Sequence, residues 1–239
     1  MRRQAARIMA GGNFPAFERQ RGDCFRLLAA CFYPPDRNML LEEEVPGNLS
    51  RLLEAVCPEA AIHAKDMAGA LVDSADTELA VAHAKLFVGP FELQAPPYGS
   101  LYLDSRKRMM GDSTMDVLKM YQRAGLGLSG DFLDAPDHIA AELEFMYFLV
   151  AKEIQALRSG DREEAAAYLK MQQEFHRRYL RPWIEPFTDR IESTSEHEFY
   201  THLARCLSTF TAKSPVPDAI PDPGGTERGS QTKIPKGRE

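Results

Sequence analysis

Apolar residues recur three and four positions apart along most of the chain, and no stretch alternates β-branched and polar residues as a half-buried strand does. The predicted fold class is all-α, a single large helical bundle. Phe17, Cys24, Leu27, Leu28, Cys31 and Phe32 share one helical face until Pro34 and Pro35 end the register. Leu49, Leu52, Leu53 and Val56 repeat the pattern up to Pro58. Further helices are expected over about 59–72 and 76–88. Another starts at a cap formed by Asp112 or Ser113 and carries Val117, Leu118 and Tyr121 on one face before Gly125 and Gly127 end it. Ala165, Tyr168, Leu169, Gln172 and Phe175 continue the periodicity, and Pro182 and Pro186 are expected to divide the region around Trp183 into two shorter helices. Phe199, Leu203, Leu207 and Phe210 stripe the last one.

Two segments depart from plain periodicity. From Gly89 to Gly111 the pattern lapses into a connection with three prolines, Tyr98 and Tyr102, longer than a typical loop and of the kind that often carries function. The stretch DAPDHIAAELEFMYFL, from Asp134 to Leu149, places two acids, a proline and a histidine before an apolar helix. Pro136 suits a first helical turn, where its missing N–H has no intrahelical partner, so a helix is expected to start there and run to about Arg158. At such a helix mouth the dipole favours the charges of Asp134 and Asp137 and opposes a proton on His138. Glu142, four residues after His138, is expected to face it. Phe145, Met146, Phe148 and Leu149 are expected in the core, with exposure in a peptide-binding groove as the alternative. Tyr98 and Tyr102 either line that groove or anchor the long loop.

Composition narrows the function. The chain has 239 residues with 44% hydrophobic and 27% charged, enough for one sizeable core. The expected division is a flexible 1–13, a helical domain over 14–212 and a disordered, proline- and glycine-rich tail over 213–239. A net charge of −6, from 35 acids against 29 bases, gives no reason to expect nucleic acid or an anionic membrane as a partner. Cys24, Cys31, Cys57 and Cys206 form no C-x-x-C pair and read as buried thiols. The apolar run of MRRQAARIMAGG is far shorter than a signal-peptide core, so no export is expected, and no later run reaches the roughly 20 residues of a membrane span, so a cytoplasmic protein without membrane insertion is expected.

No Walker A, G-x-G-x-x-G, G-x-S-x-G or cysteine–histidine signature is present. His197 and His202 flank Glu198 at five-residue spacing, which fails the zinc-protease pattern, and both are expected at the surface or interface of the last helix. Asp137 and His138 are the one candidate acid–base pair, but neighbours on a helix point in different directions. No catalytic residue, metal site or cofactor is assigned.

Three separated segments, LFVGP with PPYGSLY over 86–102, PDHIAAELEFMYFL over 136–149, and FHRRYLRPWIEPF with EFYTHLA over 175–204, together with GDSTMDVLKMYQRAGL between the first two, carry a resemblance. The chain resembles the TorD/DmsD/NarJ family of redox-enzyme maturation chaperones, most closely its TorD-like branch, over roughly 14–210. The resemblance implies an all-helical, non-catalytic protein. Its expected partner is the apo form of a molybdenum-cofactor oxidoreductase, gripped through its twin-arginine leader until the cofactor is loaded and export follows. The family's functional segment is similar to Asp134, Pro136, Asp137 and His138, with two departures: members frequently have glutamate at the place of Asp134, and some have proline at that of Ala135. The candidate peptide-binding set is thus Asp134, Pro136, Asp137, His138, Glu142, Pro97, Tyr98 and Tyr102, with Asp134 and Asp137 expected to attract leader arginines. The resemblance further implies a monomer or a domain-swapped dimer, exchanged about a hinge in the 127–135 connection. Guanine nucleotides are associated with parts of the family, but the chain has no phosphate loop and no nucleotide site is assigned. Two alternatives stay open: a small helical enzyme using Asp137 and His138, and an assembly factor for a redox subunit that is not exported.

Overall fold

The computed structural model describes residues 14–89, 93–127, 135–214 and 216–222. Among them there is no β-strand, and one isolated antiparallel bridge joins Tyr98 to His138. The helices are α1 (Phe14–Ala30), α2 (Arg37–Glu42), α3 (Val45–Val56), α4 (Pro58–Asp73), α5 (Asp76–His83), α6 (Ser100–Leu103), α7 (Asp112–Arg123), α8 (Ile139–Ser159), α9 (Arg162–Phe175), α10 (Arg181–Thr194) and α11 (Glu198–Lys213). A π-turn extends α5 over Ala84–Val88, and a second, His176–Leu180, joins α9 to α10.

The long helices pack in pairs: α1 against α3 and α8, α8 against α9, α4 against α3 and α11, and α10 against α11. α8 is the longest helix, with Ile139, Leu143, Met146, Leu149 and Val150 all buried. An aromatic group fills the end of the bundle nearest α6. Phe87 meets Phe32 and Tyr200 edge-on at 5.9 and 5.6 Å between ring centroids, and Trp183 lies 5.1 Å from Phe187. Fully burying each such ring contributes about 1.5–3 kcal/mol, so this cluster is a main anchor of the fold. The four cysteines are buried free thiols, and burial pushes the Cys31 thiol up to about 12.

The structure departs from the periodicity in several places. Pro34 and Pro35 do end the first helix, but Asp36 then caps the short α2 by accepting the Met39 N–H at 3.0 Å. α7 is capped from outside: the Asp104 carboxylate accepts the Ser113 N–H at 3.2 Å, a role the sequence assigned to Asp112 or Ser113. A Cβ on Gly111 would run into that carboxylate, so the glycine keeps the cap in place. The expected division at Pro182 and Pro186 is corrected. Pro182 follows directly on the π-turn, whose last bond runs from the Arg181 N–H to His176 O, and Pro186 lies inside the same helix. Pro186 leaves the carbonyl of residue 182 without its intrahelical donor, and burial of Trp183, Ile184 and Phe187 on the inner face holds the helix together despite that loss. The interruption is instead the π-turn, whose extra residue per turn shifts the register between α9 and α10.

Residues 216–222, assigned from sequence to the disordered tail, lie along α9. Gln173 donates to the carbonyl oxygens of Pro217 at 2.6 Å and Asp218 at 3.1 Å, and Arg162 to that of Pro221 at 3.0 Å. Polar side chains of α9 capture backbone carbonyls here, so no apolar periodicity was needed to order the segment. Asp134 and the 128–134 part of the proposed hinge lie outside the described residues.

Candidate functional site

The candidate residues converge where the 97–103 turn meets the start of α8. Two backbone bonds cross this junction: Ile139 N–H to Pro97 O and Gly99 N–H to Asp137 O, both 2.9 Å. They enclose the Tyr98–His138 bridge and hold His138 in an extended conformation, with φ −67° and ψ 139°. This corrects the expected helix start. Pro136 and Asp137 form a turn, and α8 begins at Ile139 with His138 as its N-cap, accepting the Ala140 N–H on Nδ1 at 3.2 Å. Pairing with the 97–99 segment satisfies backbone groups that a helix would have used, and so it overrides the preference of Pro136 for a first turn.

Each side chain then takes a separate partner. Asp137 is buried, and its Oδ2 accepts the Ser100 N–H at 2.7 Å, at the N-terminus of α6. The His138 ring stands edge-on to Tyr98 with centroids 5.4 Å apart. Asp137 and His138 therefore engage different groups, as their adjacency in sequence implied. Pro136 is held through its carbonyl, which accepts the Tyr121 hydroxyl at 2.7 Å. Pro97 is buried, Tyr98 half-buried, and the half-buried Tyr102 donates its hydroxyl to Pro96 O at 2.9 Å.

Glu142 does not face His138. It is fully buried and its Oε2 accepts the Trp183 indole N–H at 3.0 Å, tying α8 to α10. The indole is stacked on Tyr102 at 5.6 Å, so α6, α8 and α10 meet through one chain of contacts. Gly99 lies beneath it: an added Cβ would stand 3.1 Å from Trp183 Nε1 and 3.4 Å from Glu142 Oε1. Burial pushes the Glu142 carboxyl well above the usual carboxylate range, and the Asp137 charge adds to this while the Trp183 hydrogen bond opposes it. Asp137 Oδ1, Glu142 Oε1 and Ser100 Oγ are buried without a hydrogen-bond partner among the described residues.

Gly99, Ser100, Tyr121 and Trp183 complete the site although they were not among the candidates. Trp183, the single tryptophan, between Pro182 and Pro186, was the available signal; the others depend on tertiary pairing. Just past α6, Met109 and Met110 are 48% and 56% exposed, and Met115 on α7 is 46% exposed. Among the described residues no helix is long and apolar enough to cross a membrane.

This junction falls inside a segment that matches a known family. The family model described as nitrate reductase delta subunit matches residues 47–189, more than half of the chain. The chain belongs to that family. The TorD chaperone of Photobacterium profundum is 29% identical over 138 residues, covering 58% of this chain and 62% of that protein, so the match leaves over a third of that relative uncovered. The Tat proofreading chaperone DmsD of Salmonella typhimurium is 25% identical over 199 residues, 82% of this chain and 91% of the relative. These similarities put the chain in the TorD-like branch of the TorD/DmsD/NarJ family, whose named relatives here are chaperones and not enzymes. The same helical fold occurs in a solved structure of a redox enzyme maturation protein from Archaeoglobus fulgidus, with a TM-score of 0.51 over 80% of this chain and 94% of that one, at 23% identity.

Proposed function

We infer that the protein is a cytoplasmic, non-catalytic chaperone that binds the apo form of a molybdenum-cofactor oxidoreductase and holds it, through its twin-arginine leader, until the cofactor is inserted. The observation that carries this reading is the junction of the 97–103 turn with the start of α8, located in the matched family segment and built without a catalytic pair. The TorD and DmsD names of its relatives support the chaperone role.

The geometry divides the work among the candidate residues. Asp137 and Glu142 are buried and hold α6, α8 and α10 in position. They shape the site from beneath. The leader meets its edge: the half-buried Tyr98 and Tyr102 offer aromatic and polar contacts, with the buried His138 packed behind Tyr98, and Asp134, next to the turn in sequence, supplies charge for the leader arginines. The exposed methionines at 109, 110 and 115 give an adaptable apolar surface for the leader's hydrophobic region. Titration calorimetry of a twin-arginine leader peptide tests this, with binding expected to weaken about tenfold in Asp134→Asn and with added salt. Equal affinity in wild type and variant defeats the assignment.

The family description, nitrate reductase delta subunit, favours a second reading, in which a folded redox subunit and not a leader is bound. A client lacking its leader separates the two: undiminished binding supports the assembly factor, and loss of binding supports the leader chaperone.

A further inference from the structure

His63 and Asp66 lie three residues apart on one face of α4, and His202 approaches them from α11, the helix packed against α4. One ligating atom from each of the three lies within 4.8 Å of the others, and His202 Nδ1 is 3.9 Å from Asp66 Oδ2. The His202 Nδ1 atom is buried and has no hydrogen-bond partner among the described residues. Asp66 is half exposed, so a solute can reach the group from solvent.

We propose that His63, Asp66 and His202 bind a divalent transition-metal cation of the zinc class, which clamps α4 to α11 and keeps a coordination position open to solvent. Two imidazole nitrogens and one carboxylate oxygen are the donor set that Zn2+, Ni2+ or Co2+ takes in preference to Mg2+ or Ca2+, which favour all-oxygen shells. A tetrahedral zinc with bonds of about 2.0–2.1 Å holds its ligands roughly 3.3–3.5 Å apart, so the three side chains close by about an ångström, within the reach of small χ rotations. The electrostatics permit this. The charged and titratable groups facing His63 are His202, Arg205, Asp66 and Glu192, and Arg205 is neutralised by its 2.8 Å bond to Glu192. The four thiols are buried elsewhere and do not compete in the folded protein.

The test uses the untagged full chain, stripped with chelator and titrated with ZnCl2 by calorimetry, then with Co2+ by absorption spectroscopy. Single-site binding of Zn2+ is expected, with a rise in the thermal midpoint that Mg2+ does not produce. The Co2+ spectrum is expected to show nitrogen and oxygen ligation with no thiolate charge-transfer band. Asp66→Asn, His63→Gln and His202→Gln should each weaken Zn2+ binding by about tenfold or more, since even outer-shell changes cost that much. His197→Gln, at the cap of α11, should leave it unchanged. Because Asp66 is half exposed, Asp66→Asn keeps the test valid if a histidine variant does not fold. Absence of Zn2+ binding, binding unchanged in Asp66→Asn, or a thiolate band would each overturn the proposal.

Discussion

Glu18 and Glu153 are buried in the seam between α1, α8 and α9, while Asp137 and Glu142 are buried beneath the turn that leads into α6. The seam contains its own cation. Arg21 donates to Glu18 at 3.0 Å and also to Gln172, which in turn donates to Glu153 at 2.6 Å. At the α6 junction no ion pair reaches either carboxylate among the described residues; a backbone N–H and an indole N–H serve instead. Compensated charges are fixed inside a continuous helix packing, where they specify how three helices align. Both regions keep buried polar atoms without a partner among the described residues, Arg21 Nη1 and Glu153 Oε1 in the seam, Asp137 Oδ1 and Glu142 Oε1 at the junction. What sets the junction apart is that its acids are held only by neutral donors beside a half-buried turn, which is an arrangement suited to a binding site.

Variants can break that contrast, beginning with the most severe. Arg21→Met leaves Glu18 and Glu153 buried without a cation and should cost about 3–5 kcal/mol in urea unfolding. A loss under 1 kcal/mol would show that the arginine is not what compensates the seam. At the junction, Trp183→Phe keeps the stacking on Tyr102 but removes the donor to Glu142, and Gly99→Ala presses a Cβ on Trp183; each should cost about 1–3 kcal/mol.

The pH dependence sharpens the comparison. Burial and the Glu18 charge push the Glu153 carboxyl up to about 7, against the Gln172 hydrogen bond and Arg21. A raised carboxyl favours the proton-bound folded state, so its stabilising contribution is complete below the unfolded value of about 4.3 and is lost as the pH climbs through about 7. Glu153→Gln should therefore flatten the decline in unfolding free energy over that interval. Glu142, raised well above the ordinary carboxylate range, should likewise contribute stability that is lost as the pH rises, and Glu142→Gln should remove that part of the decline. Coincident pH profiles for wild type and both variants would contradict the assignment. The smallest stability effect is expected for Tyr98→Ala, about 1 kcal/mol or less since the ring is half-buried, together with a clear loss of leader affinity.

The long helices were legible because each buries one periodic stripe, as Leu49 and Leu53 do on α3 or Leu203 and Leu207 on α11. The junction was legible only as a set of residues. Pro136 marks a helix start on local grounds, yet pairing of Pro97 and Gly99 with residues 137–139 moves that start to Ile139. Likewise, a spacing of four from His138 said nothing of Trp183, which reaches Glu142 because the π-turn rotates α10 relative to α9. These are contacts between segments distant in sequence, and periodicity carries no record of them.

Hydrogen–deuterium exchange of the full chain, with and without a saturating twin-arginine leader peptide, tests the central claim most directly. Added protection is predicted at the amides of 98–102 and 137–142, with none along the Arg21–Gln172 seam. Protection confined instead to the separate groove lined by Val81, Lys85, Leu86 and His197, or an unchanged exchange pattern at the α6 junction, would contradict the account.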